Sequence, residues 1–158
     1  MSFPDFSKGG GSGGGGGSTN AGKAMRLLLG ADFTVPQDGF TRMPFDQIPF
    51  NDGFTFNADL EVETQEAGTV LITASIGALV PAGMTQGLTV GCLLYKNGLP
   101  LRQNSKTKLV SPYCIAEITV IDKCVAEDKY ALYVTATGGD WVDITISSEV
   151  SSMEIAYL

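Results

Sequence analysis

The residues that could carry chemistry are few, and one type is missing altogether. The chain has no histidine, which removes Ser-His-Asp and Cys-His nucleophilic pairs, the imidazole base and most zinc and iron sites. Carboxylates such as Asp59, Glu61, Glu63 and Glu66 could in principle supply the acid and base of glycoside hydrolysis. They fall in turns or on the polar side of predicted strands, where a solvated face accounts for them. The stretch Gly17-Ser18-Thr19-Asn20-Ala21-Gly22-Lys23 fits the spacing of a phosphate-binding loop. Ala24 stands where a magnesium-binding hydroxyl belongs, and neither a buried strand before it nor a helix after it is expected. Asp38, Asp46 and Asp52 lie in predicted loops without EF-hand spacing, so calcium binding is left open. No catalytic residue, metal ligand or cofactor is assigned.

Three cysteines, Cys92, Cys114 and Cys124, are an odd number at spacings that match no zinc pattern. Cys92 and Cys114 fall on the apolar side of predicted strands, where a free thiol acts as a small core group. The reading is that all three are reduced, as suits a protein made and assembled in a cytosol.

The elements that would position any site are strands. From about residue 26 onward the apolar period is two. Ile72, Ala74, Ile76, Ala78 and Val80 form one row, and Leu88, Val90, Cys92 and Leu94 another. Cys114, Ala116, Ile118 and Val120 follow, then Tyr130, Leu132, Val134 and Ala136, then Val142, Ile144 and Ile146, then Met153, Ile155 and Tyr157. Turn signals separate the rows, among them Asn51-Asp52-Gly53, Asn97-Gly98 and Ser147-Ser148. About eight short strands without a helix make an antiparallel β-sandwich or jelly roll. Some strands are also apolar on their second face: Leu93 and Tyr95 oppose the Val90 row, and Tyr113 and Ile115 oppose Cys114. Strands apolar on both sides are covered on both sides, so these four are candidate subunit-interface residues.

Residues 9–18 are Gly and Ser only, a flexible tether that reaches about 35 Å extended and averages about 17 Å as a coil. Ahead of it, Phe3, Pro4 and Phe6 form a short aromatic plug, whose rings would contribute about 1.5–3 kcal/mol each when buried in a partner. The chain thus divides into an anchor peptide at 1–8, a linker at 9–25 and a β-domain at 26–158. The net charge of −7 and ten scattered Lys and Arg argue against nucleic acid. No apolar run suits a membrane span, and the opening residues predict no signal peptide. The charged share is 17% against a usual share of about 25%, as suits a surface partly covered by partners.

Several stretches resemble one known family. Phe40-Thr41-Arg42-Met43-Pro44-Phe45 is similar to an x-T-x-V-P-F opening strand. Val62 to Ile72 is similar to F-x-A-P-x-A-G-x-Y-x-I, with Gly68 at its centre. Leu94-Tyr95-Lys96-Asn97-Gly98 matches L-Y-K-N-G, and Glu127 to Val134 is similar to x-G-D-x-V-x-L-x-V. Together they resemble the trimeric jelly roll of the tumour necrosis factor and complement-q globular superfamily, in the form found in bacteriophage fibres and head decorations. Gln65, Val70 and Glu127 depart from the pattern, which has Pro, Tyr and Gly there. The resemblance implies a homotrimer that binds through outer loops and catalyses nothing.

The expected protein is therefore a virion component: a homotrimeric knob held to a capsid or tail protein by its N-terminal arm. A head fibre, decoration or cement protein is the leading form. A tail-fibre tip that binds a host surface glycan or receptor stays open, with Asn51, Asp52 and Trp141 as candidate loop residues. A carbohydrate-active enzyme stays open as a third reading.

Overall fold

A computed structural model describes residues 22–80, 87–108, 112–138 and 143–158. The anchor residues Phe3, Pro4 and Phe6 and the loop residue Trp141 lie outside them. The described residues form thirteen strands, against the eight or so expected. The additional ones are short pieces between residues 33 and 64, where no long alternation marks them.

Strand β1 spans Ala24–Leu28, β2 Phe33–Pro36, β3 Phe40–Arg42, β4 Gln47–Asn51, β5 Phe54–Phe56 and β6 Val62–Thr64. The longer strands are β7 (Gly68–Leu79), β8 (Leu88–Lys96), β9 (Leu99–Lys108), β10 (Tyr113–Cys124) and β11 (Lys129–Thr137). Two more, β12 (Asp143–Ile146) and β13 (Ser152–Tyr157), complete the set. Strand β1 begins at Ala24, inside the stretch expected to be linker. The residue just before it is held by Tyr157 N–H donating to Lys23 O at 2.9 Å.

The strands pair antiparallel in two sheets. Sheet one runs β10, β7, β13, β1, β4, with β12 and β2 continuing beyond the end of β13. Sheet two runs β5, β6, β11, β8, β9, and β3 also pairs with β11. Each sheet buries the apolar row that period two puts on one face. Ile72, Ile76, Ala116, Ile144, Ile146, Met153 and Ile155 of sheet one meet Leu88, Val90, Leu94, Tyr130, Leu132 and Val134 of sheet two. Burying such side chains stabilises by about 1.5–3 kcal/mol each, which gives the sandwich its core. Cys92, Cys114 and Cys124 are free thiols, all buried. Cys124, which the sequence left unplaced, ends β10 at the core's margin.

Two motifs of the resemblance meet in space. The β8–β9 turn is a two-residue hairpin with Asn97 at φ 51° and Gly98 at φ 77°, the left-handed pair that an Asn-Gly turn supplies. Asn97 Nδ2 donates to Asp128 Oδ1 at 2.8 Å, and Lys129 N–H donates to Asn97 Oδ1 at 2.9 Å. Lys96 Nζ lies 2.7 Å from Asp122 Oδ2 and 3.0 Å from Asp128 Oδ2. Tyr130 OH donates to Asp122 Oδ2 at 2.6 Å. The L-Y-K-N-G turn and the Glu127-Asp128 turn are thus one polar network that locks the end of sheet two to β10.

Candidate interaction surfaces

With the apolar rows spent on the core, the surfaces left for partners are the two outer faces, the sheet edges and the turns. The outer face of sheet one has an apolar row across four strands. Ala24 pairs with Ala156, Ala156 with Leu71, and Leu71 with Ile121. Ile121, on edge strand β10, is 66% exposed. A polar strip follows, where Arg26 Nε meets Glu154 Oε1 at 3.0 Å. Thr73, Ser75, Glu117, Thr119 and Ser152 join Glu154 there around a depression of about 330 Å³. At the far end Tyr113 and Ile115 pair with Leu79 and Gly77. Tyr113 OH donates to Glu149 Oε2 at 2.6 Å, a bond that raises the Tyr113 pKa above its ordinary value. Phe50, on β4 at the opposite edge, is 51% exposed.

Sheet two carries its own outer cluster. Phe40 stacks on Tyr133 with ring centroids 4.4 Å apart and meets Tyr95 edge-on at 5.7 Å. Arg42 Nε donates to Tyr133 OH at 2.9 Å, and its guanidinium carbon lies 5.1 Å from that ring's centroid. Arg42 also donates to the Asp59 carbonyl and lies 3.5 Å from Glu61 Oε1.

The four expected interface residues are therefore not one patch. Tyr113 and Ile115 lie on the outer face of sheet one, and Leu93 and Tyr95 on the outer face of sheet two, with the core between. Parity within a strand says which residues share a face, but not which sheet the strand joins. Asn51 and Asp52 are exposed at the β4–β5 turn, where Gly53 takes φ 83°. Asp52 N–H donates to Ala24 O at 2.7 Å, which ties this turn to the start of β1. Sequence reasoning did not find Phe40, Arg42, Tyr133 and Ile121. The odd-numbered residues of β11 oppose the Tyr130 row and could have pointed to Tyr133, but the pairing of β3 with β11 has no local signal.

Of the carboxylates considered for hydrolysis, Glu61 is engaged by Arg42 and by Asn57 Nδ2 at 3.2 Å, and Glu66 by Lys23 Nζ at 2.8 Å. Among the described residues no three Cys, Asp or Glu side chains converge as a metal site.

Solved structures share this architecture. The chain superposes on murine APRIL at pH 5.0 with a TM-score of 0.64 and 12% identity, covering 86% of this chain and 98% of that one. On Eiger TNF from S. frugiperda the TM-score is 0.59 and the identity 15%, covering 86% of this chain and 92% of that one. The fold is a tumour necrosis factor-like jelly roll. No protein-family model matches the chain, and no curated protein does. At these identities the likeness establishes the architecture, and it agrees with the fold that the sequence motifs implied.

Proposed function

We propose that this chain is a non-enzymatic structural protein of a bacteriophage virion, a homotrimeric knob that decorates the capsid and is held there by its N-terminal arm. The observation that carries the reading is the apolar row Ala24, Ala156, Leu71 and Ile121 on the outer face of sheet one. It continues onto edge strand β10, where Ile121 is 66% exposed. A cyclic trimer joins two different patches of each subunit, so one apolar face plus one apolar edge is the arrangement it needs. The arm supports the second half of the proposal. The Gly/Ser tract ends five residues before β1, and three tethered plugs per trimer would raise effective concentration at the socket. The virion role itself rests on the sequence motifs and the arm.

Light scattering on the full chain and on residues 22–158 tests the assembly. Both are expected to be trimers at high dilution, and Ile121→Arg is expected to be a folded monomer. A monomeric wild-type domain overturns the proposal. Incorporation into particles tests the arm: loss on deletion of residues 1–20 is expected, and unchanged incorporation refutes the anchor. A tail-fibre tip, with host glycan or receptor at the turns, is the second reading. It is favoured by the exposed Asn51 and Asp52, and it predicts loss of host adsorption on changing that turn while the trimer persists.

A further inference from the structure

The outer face of sheet two holds a depression that no part of the proposed assembly uses. Four registered neighbours cross it in a row: Ser105 on β9, Gly91 on β8, Thr135 on β11 and Phe40 on β3. Gly91 is the gap in this row. A Cβ there would collide with Thr135 Oγ1, so glycine lets the threonine hydroxyl lie low against the sheet. The result is a cavity of about 310 Å³ lined by Gly91, Leu93, Gln103, Ser105 and Thr135 together with Asn104. That volume lies at the small end of the usual range for small-molecule sites, about 300–1,000 Å³. A second cavity of about 270 Å³ adjoins it, sharing Leu93 and Gln103 and walled by Pro100, Leu101 and Arg102.

Three features define what such a site can hold. Its hydrogen-bonding groups are uncharged: the Gln103 amide and the Ser105 and Thr135 hydroxyls, whose side chains bond to no other described residue. Its flank is aromatic, with Phe40 51% exposed beside Thr135 and stacked on Tyr133. The lining of the first cavity is uncharged, Arg42 beside the aromatic flank is already answered by Glu61, and Arg102 stands on the wall of the second cavity. Donor-acceptor groups beside a ring platform fit a molecule with hydroxyls at its rim and an apolar face. The lining of the first cavity carries no cation to hold a phosphate or sulfate.

We propose that this groove binds a neutral oligosaccharide, with one sugar ring over Gly91 and Thr135 and the next against Leu93 and Pro100. Phe40 offers its exposed ring to the apolar face of the first sugar, and Gln103 spans the junction between the two. The site lies on the face of a single subunit, so it does not depend on the trimer.

Saturation-transfer NMR tests this with four neutral probes, maltotriose, cellotriose, lactose and N,N′-diacetylchitobiose, and one sulfated probe, a heparin disaccharide. Binding of at least one neutral probe is expected, with affinity falling about tenfold or more in Phe40→Ala and in Gln103→Ala. Both positions are exposed, and melting temperature and native mass check that each variant is folded. No transfer to any neutral probe overturns the proposal. So does binding that both variants retain, and so does preference for the sulfated disaccharide.

Discussion

Glu127 offers a clean test of how the sequence motifs map onto backbone geometry. It stands where the resembling family has glycine, and the structure gives it φ 70°. A left-handed conformation costs an L-residue about 1–2 kcal/mol, whereas glycine adopts it freely but loses about 0.5–1 kcal/mol more chain entropy on folding. The side chain is exposed and bonds to no other described residue, so replacing it forfeits no contact. The backbone bond from Glu127 N–H to Thr64 O at 2.8 Å is kept. Glu127→Gly should therefore stabilise the fold by about 0.5–1 kcal/mol. With a urea slope near 2 kcal/mol/M, the midpoint should rise by about 0.3–0.5 M. The comparison belongs at one protein concentration, because any self-association shifts apparent stability by mass action. Glu127→Ala is the control: it retains a Cβ, keeps the strain, and should unfold close to wild type. The reasoning fails if the glycine variant is no more stable than the alanine variant.

Acid unfolding should follow the Lys96 network. Burial opposes ionisation of Asp128, but the bonds from Asn97, Val125 N–H and Lys96 outweigh it and hold its pKa below the ordinary value. Burial likewise raises Asp122 while Lys96 and Tyr130 lower it further. Stability from both is full above the unfolded value of about 3.9 and lost as pH falls through the lower folded values. Circular dichroism between about pH 5 and 2 should therefore show a shallower loss in Lys96→Met than in wild type, and equal slopes would contradict this. Gly77→Ala should cost about 1–3 kcal/mol, because the new methyl meets Val150 Cγ2; a Val150→Ala second change should recover much of it, and no recovery would place the strain elsewhere. Burial pushes the Cys92 thiol up to about 12, so a thiol reagent at pH 8 should label Cys92 only after unfolding. Rapid labelling of Cys92 in the folded chain would refute its burial.

What the sequence makes legible is whatever repeats within a strand. The rows Ile72 to Ala78, Leu88 to Leu94 and Tyr130 to Ala136 are all buried as their period requires. The Asn97-Gly98 turn needs only two residues to specify it. Residues 33–64 break into strands of three to five residues, too short for alternation to declare itself, so only the motif resemblance at Phe40–Phe45 and from Val62 marks strand there. Pairings across large separations are silent for a different reason. Arg42 with Tyr133 and Lys96 with Asp122 are chosen by the closed sandwich, not by anything near either residue. For the same reason nothing near Leu93, Tyr95, Tyr113 or Ile115 tells that a whole core separates the first two from the last two.

The placement of β1 has a mechanical consequence. It lies inside sheet one, bonded to β13 along one side and β4 along the other, and the arm enters at its first residue. Tension on the arm along the strand therefore loads the bonds of both flanking ladders together in shear. Freeing an arm that anchors the domain, as proposed, would mean pulling β1 out from between β13 and edge strand β4, with Met25 and Leu27 leaving the core. An edge strand pulled in the same direction would load one ladder instead of two. Forced release is governed by the height of the unfolding barrier, so a pull applied through the proposed arm would meet more resistance than equilibrium stability alone suggests.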